Sequence, residues 1–172
     1  ENHLPPVERV GFRPSIDVNG IHSGYDGEGV KTIIPARACA RLTARLVPGQ
    51  DPERCLELMV DHLTRNTPEG LTVEISKTGV GGPGFRLNPD ARFTVKAKEV
   101  LDQLTDRETV FLWEGASIPI VSKLAEVAGA EPLLVGFGQE ADNIHAPNES
   151  FSLEQFRLGY LYAAMMLEEV ES

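Results

Sequence analysis

Taken as a succession of apolar and polar positions, the chain changes its period several times. Residues 30 to 47, VKTIIPARACARLTARLV, alternate most regularly, with Ala36, Ala38, Ala40, Leu42, Ala44 and Leu46 set against Arg37, Cys39, Arg41, Thr43 and Arg45. A period of two predicts a long, half-buried strand with three arginines on its polar face. After Pro48-Gly49, the acid Asp51 followed by Pro52 gives a helix start, and Leu56, Met59, Val60 and Leu63 recur at helical spacing up to Asn66-Thr67-Pro68. Leu71 to Ile75 alternates again as a strand, and an earlier strand is expected around Ser15 to Asn19. The order β-β-α-β is the back part of a two-layer, ferredoxin-like sandwich.

Residues 79 to 84, GVGGPG, match G-x-G-x-x-G after a predicted strand, but Pro83 and Phe85 to Pro89 separate these glycines from the next helix. A phosphate cradle needs its glycines to run straight into a helix N-terminus, so this stretch reads as a hinge. Beyond it helix and strand alternate, the pattern of an α/β layer. Asn88-Pro89-Asp90 is expected to cap a helix bearing Phe93, Ala97, Val100, Leu101 and Leu104 on one face. Thr109 to Trp113 and Leu133 to Phe137 read as short buried strands around a helix from about Ser117 to Ala128. A last helix, from about Ser152 to Glu169, places Leu153, Phe156, Tyr160, Ala164 and Leu167 on its expected buried face. Neither half has enough strands and helices to cover its own sheet, and parallel strands are ordinarily buried on both faces. The sequence therefore reads as a piece of a larger protein, or as one that covers its exposed surface by self-association.

Composition narrows the partners. The chain has 172 residues, 16 Lys+Arg against 26 Asp+Glu, and a formal charge of -10. Affinity for nucleic acid rests on basic side chains neutralising phosphates, so no nucleic-acid partner is expected. The apolar runs are far shorter than the roughly 20 residues of a membrane helix, and Glu1 to Pro6 has neither the basic nor the apolar region of a signal peptide. No membrane association and a cytoplasmic location are the expectations. Cys39 and Cys55 stand outside any C-x-x-C pair and read as reduced thiols with packing roles.

Three segments could carry chemistry. Gln139 to Glu149, QEADNIHAPNE, is a polar loop after a predicted strand, where α/β proteins place their sites. His145 there could act as base, donor or metal ligand, with Asp142 and Glu149 near enough to orient its ring; it could equally cap the loop, since one histidine is far from a metal site. Glu114-Gly115-Ala116-Ser117-Ile118-Pro119 is a strand-to-helix junction suited to an anion, Gly115 and Ala116 leaving the backbone approachable and Ser117 offering a hydroxyl, or an ordinary N-cap. Arg45 could grip a carboxylate with its planar fork or be one of a solvated row. His3, His22 and His62 read as terminal, loop and helix-surface residues.

Five stretches in order, Pro14 to Ile21, Lys31 to Pro35, Arg45 to Pro48, Glu114 to Pro119 and Asn143 to Glu149, resemble the C-terminal part of the dinuclear zinc metallopeptidases of clan MH. That group includes carnosinase-like dipeptidases, aminoacylase and acetylornithine deacetylase, and the dipeptidase branch is the most similar. The resemblance implies an α/β fold: a ferredoxin-like lid, or dimerisation, domain over residues 1–78, a glycine-rich hinge at 79–84, and the C-terminal part of an α/β/α catalytic domain over 85–172. It implies that His145 is a metal ligand, and that Arg45 and Ser117 bind the substrate's terminal carboxylate. Thr32 would contact substrate across a homodimer, with Gly115 and Ala116 lining the same site. Ala116 departs from the family's usual second glycine, and its methyl could tighten the approach to substrate. The implied cofactor is zinc, two per intact subunit, with manganese or cobalt as alternatives; the implied substrate is a dipeptide or N-acyl amino acid. The family's other ligands, its general-base glutamate and the first strand and helix of the lid have no counterpart in this sequence, so the chain alone is expected to be inactive. A non-catalytic dimerisation or interaction module is the other reading.

Overall fold

The computed structural model describes residues 3–115, 118 and 120–171. The elements run α1 (Pro6–Phe12), β1 (Ser15–Ser23), β2 (Ala38–Arg45), α2 (Pro52–Arg65), α3 (Arg92–Leu104), α4 (Ile120–Ala128) and α5 (Leu153–Glu171), with one 3-10 turn at Glu140–Asp142. The chain divides into two units, residues 1–85 with 113–124, and residues 86–112 with 125–172.

In the first unit β1 and β2 form an antiparallel pair, the whole of the sheet among the described residues. Ser15 lies opposite Arg45 and Val18 opposite Leu42; the register then slips, so that Gly20 faces Arg41 and Ser23 faces Ala38. Asn19 is the extra residue of this bulge, and its side-chain oxygen accepts the Thr43 hydroxyl at 2.8 Å. Because a bulge sets two residues against one, Ile16, Val18 and Ile21 all fall on the face of Ala44, Leu42 and Ala40, despite the odd spacing of Ile21. The other face collects Asp17, His22, Cys39, Arg41 and Arg45. α2 begins as expected: Asp51 Oδ1 accepts the Arg54 N–H at 2.7 Å and Pro52 occupies the first position. α1, with Pro6 at its start, has no counterpart in the sequence reading.

Several expectations need correction. The strand predicted over 30–47 is confined to Ala38–Arg45, since Pro35 can donate no ladder hydrogen bond, and it is exposed rather than half-buried. β1 runs on to Ser23, so His22 is a strand residue opposite Cys39 and not a loop residue. Cys39 is exposed on the polar face rather than packed in a core; Cys55 is half-buried, and both thiols are free. Leu71–Ile75, 109–113 and 133–137 form no strand, because a strand exists only against a hydrogen-bonded neighbour and these runs find none among the described residues.

In the second unit α3 packs on α5. Val100, Ala97 and Thr94 are buried at 1%, 4% and 3% exposure, whereas Phe93, expected on that face, is exposed. Asn88 builds a turn before the helix, its Oδ1 accepting the Asp90 N–H at 3.1 Å, and Ala91 takes the cap position. Lys96 Nζ reaches Glu169 at 3.1 Å, tying the two helices together. The face of α5 is the reverse of the expected one: Leu153, Phe156, Tyr160 and Leu167 are exposed, whereas Gln155 is buried and Leu158, Gly159, Tyr162 and Met166 are half-buried. A helix apolar nearly all round offers two stripes, and the small Gly159 selects this one by admitting Phe137, whose ring also lies 5.7 Å from that of Tyr162. α3 closes at Asp102, whose carboxylate pairs with Lys98 at 2.7 Å and accepts the Thr109 N–H at 2.7 Å. These contacts, the Lys98 hydrogen bond foremost, hold the Asp102 carboxyl well below the usual range, at about 2.

Candidate functional site

The end of β2 meets the Glu114-Gly115 segment. Arg45, half-exposed at the last position of the strand, donates from Nη1 to the carbonyl oxygen of Gly115 at 3.3 Å, across 70 positions of sequence. Its Nε lies 3.5 Å from Asp17 Oδ2 on the neighbouring strand. A bulge-free register from Ser15 to Val18 puts Asp17 diagonal to Arg45 on one face, so the two reach each other by strand geometry. The guanidinium is thus oriented by a carboxylate and a carbonyl before any ligand arrives.

The 113–115 segment is held from the other side by α1. A Cβ on Gly11 would stand 2.7 Å from that of Trp113, one on Gly115 would collide with the Val10 carbonyl oxygen, and the Phe12 and Trp113 rings lie 4.8 Å apart. Gly115 is therefore a glycine of close packing against α1. Arg41 differs from Arg45: its guanidinium lies beside Gly20, its partner across the strand pair. Thr32 stands exposed in the irregular segment between the strands, next to Lys31, whose ammonium is 5.4 Å from the Tyr25 ring. Ala116 and Ser117 lie outside the described residues.

In the second unit His145 sits on the loop between Phe137 and α5, exposed, with φ of 62°. Asp142 and Glu149 do not orient its ring; the Asp142 carboxylate instead accepts the backbone N–H of Gln139 at 2.7 Å. An accessible imidazole suits a metal as a single ligand. Among the described residues no three His, Cys, Asp or Glu side chains converge as a metal site. The structure thus brings Arg45 and Gly115 together, with His145 and Thr32 each in its own exposed loop. No role is expected from the sequence for Asp17 or Gln155, although Ser152-x-x-Gln155 is a capping signature that points to the latter; Asp142 is expected to orient the imidazole and instead closes the loop backbone.

The profile of the M20 peptidase dimerisation domain matches residues 5–71. Over most of its length the chain is 28% identical to the Cys-Gly metallodipeptidase of Saccharomyces cerevisiae, across 160 residues covering 90% of this chain and 33% of that protein. It is 27% identical to the Beta-Ala-His dipeptidase of Homo sapiens, across 161 residues covering 90% and 31%. The chain is therefore similar to M20 metallopeptidases over most of its length, and its first part matches their dimerisation domain. Its fold says the same: the M20 family metallo-carboxypeptidase Sso-CP2 from Sulfolobus solfataricus superposes with a TM-score of 0.76 at 28% identity, over 93% of this chain and 36% of that one. Human carnosine dipeptidase 1 gives 0.75 at 26% identity, over 96% and 36%. The chain spans about a third of the length of the curated relatives it matches. It is an α/β segment whose residues 5–71 match the M20 peptidase dimerisation domain.

Proposed function

We propose that the chain is the lid and the C-terminal catalytic segment of a metal-dependent dipeptidase or amidohydrolase, with residues 1–78 as lid, 79–84 as hinge and 85–172 as catalytic segment. The observation that carries this reading is the Arg45 to Gly115 hydrogen bond, which fastens the end of a dimerisation-domain strand to the Glu114-Gly115 segment. An arginine already aligned by Asp17 and a carbonyl loses little freedom on gripping a substrate carboxylate. Ser117 would add a hydroxyl to the same carboxylate, Gly115 and Ala116 would line its approach, and Thr32 would reach substrate across a homodimer formed through the lid. His145 would hold one of two zinc ions, manganese or cobalt serving as alternatives. When bound, such a pair of metals lowers the pKa of a water and polarises the amide carbonyl; the remaining ligands and the general base would come from sequence outside these 172 residues.

The substrate would be a dipeptide or N-acyl amino acid with a free terminal carboxylate. The relatives named for Cys-Gly and Beta-Ala-His cleavage support the dipeptide. Two free cysteines, one of them exposed, suit a reducing cytoplasm. The test is to purify the full-length protein, measure metal per subunit, and assay Cys-Gly, β-Ala-His and N-acetyl amino acids before and after chelation. Two metals per subunit with activity lost on chelation and restored by zinc is the expected result. A metal-free dimer inert on every substrate would favour a non-catalytic interaction module.

A further inference from the structure

Three polar residues are buried among the described residues, Thr94, Asp142 and Gln155, and two of them close the same loop. Gln155, 4% exposed, accepts the Ser152 N–H at 3.2 Å, while Ser152 Oγ accepts the Gln155 N–H at 3.1 Å; the Gln155 amide also donates to the Phe137 carbonyl oxygen. The start of the loop is thereby latched to the first turn of α5. Asp142, 6% exposed, forms an inner latch. Its carboxylate accepts the Gln139 N–H at 2.7 Å, its own N–H donates to the Gln139 carbonyl at 3.0 Å, and its carbonyl accepts the Ser150 N–H at 2.9 Å.

Inside the latches the backbone folds on itself, Ala146 N–H to Asn143 O at 2.8 Å and Glu149 N–H to Ala146 O at 3.2 Å. Asn143, His145 and Asn148 have φ of 53°, 62° and 64°. Asparagine enters the left-handed region readily, whereas His145 is held there by the surroundings that fix its backbone. Burial of a carboxylate and an amide is unfavourable unless each is hydrogen-bonded, and here every such bond goes to the loop or its borders. The imidazole itself makes no hydrogen bond among the described residues, so it is aimed by the backbone that carries it.

We infer that Asp142 and Gln155 are positioning residues that hold His145 in a preformed, metal-presenting loop. The inference rests on the reading of His145 as a ligand. Partners that orient a ligand typically change metal affinity by 10–100-fold when removed, and the same is expected here although the orientation passes through backbone.

The test uses the full-length protein as wild type, Asp142→Ala, Asp142→Asn, Gln155→Ala and His145→Ala, each checked for fold by circular dichroism. Zinc affinity is measured by chelator competition, and the cobalt-substituted proteins by their visible spectra. Asp142→Ala and Gln155→Ala should each weaken zinc binding about 10- to 100-fold and shift the cobalt bands. Asp142→Asn, which keeps an acceptor oxygen for the Gln139 N–H, should recover most of the affinity and the wild-type spectrum. Wild-type zinc affinity in folded Asp142→Ala and Gln155→Ala overturns the inference; should Asp142→Ala fail to fold, Gln155→Ala decides. His145→Ala tests the underlying reading separately, since a full metal complement there overturns the ligand role itself. In metal-free protein the Ala146 and Ser150 amides should exchange slowly in His145→Ala and quickly in Asp142→Ala. Equally fast exchange in both would overturn the role given to Asp142.

Discussion

Arg45 carries the most specific assignment of any single residue, because arginines on an exposed strand face are ordinarily only solvated. Its contacts to Gly115 and Asp17 set it apart from Arg41 on the same face. Arg45→Lys should already be damaging, since an ammonium cannot present the planar fork. Loss of a hydrogen bond to a charged group costs on the order of 1.5–3 kcal/mol, so kcat/KM for Arg45→Ala should fall by roughly one to two orders of magnitude. The loss should be large for a dipeptide with a free carboxylate and small for its C-terminal amide. Arg37→Ala and Arg41→Ala should cost much less. Equal losses on acid and amide, or from all three arginines, would show that Arg45 serves the fold of the lid rather than the substrate.

At the scale of elements, the hydrogen bonds that close α3 make a pH-dependent joint. Asp102 is held at about 2, below its unfolded value, so its contribution is complete above the ordinary carboxylate range near pH 4 and is lost as pH falls towards 2. Protonation removes the charge that pairs with Lys98 and weakens the acceptor for the Thr109 N–H. The protection of the Thr109 amide, taken relative to its intrinsic exchange rate at each pH, should therefore fall over that window in wild type, and should already be low at neutral pH in Asp102→Ala. A flat profile in wild type would mean that the joint does not depend on the carboxylate. Helices were the legible elements. Asp51-Pro52 fixed the start of α2, and the spacing of Ala97 and Val100 found the core face of α3. The strands were half legible, because alternation reports which residues share a face but not whether a neighbour is present to bond with. Leu71–Ile75 alternates as well as β1 does and pairs with nothing among the described residues. α5 misled for the opposite reason, being apolar on two stripes so that only Phe137 and Gly159 chose between them. At the site, the Arg45 to Gly115 contact spans 70 positions and no local pattern could announce it.

For the molecule as a whole, burial sets the expectation. Among the described residues only Ala97 and Val100 are apolar and nearly inaccessible, while Ile16, Val18 and Ile21 stand at 61%, 57% and 76% exposure along one sheet face. Apolar burial is the main favourable term in folding, and this chain achieves little of it alone. The 172 residues expressed by themselves should melt broadly or not at all, and should not hydrolyse dipeptides with added zinc or manganese. Calorimetry and a dipeptide panel check both. A sharp transition, or turnover that survives repurification, would show that the chain is self-sufficient.

The extra residue in β1 also sets which changes of length β1 and β2 can absorb. Asn19 is the position at which two residues face one, so deleting it would leave Gly20 opposite Arg41 and Ile21 opposite Ala40, every side chain still on its present face. Deleting Thr43, in the regular strand, would instead send Leu42, Ala40 and Ala38 to the polar side. A descendant of this gene could thus shed one codon at Asn19 for the loss of the Thr43 hydroxyl contact, whereas the same loss in β2 would turn the strand inside out. Single-residue deletions along both strands, scored by soluble yield of the full-length protein, should show tolerance at Asn19 and intolerance at Thr43.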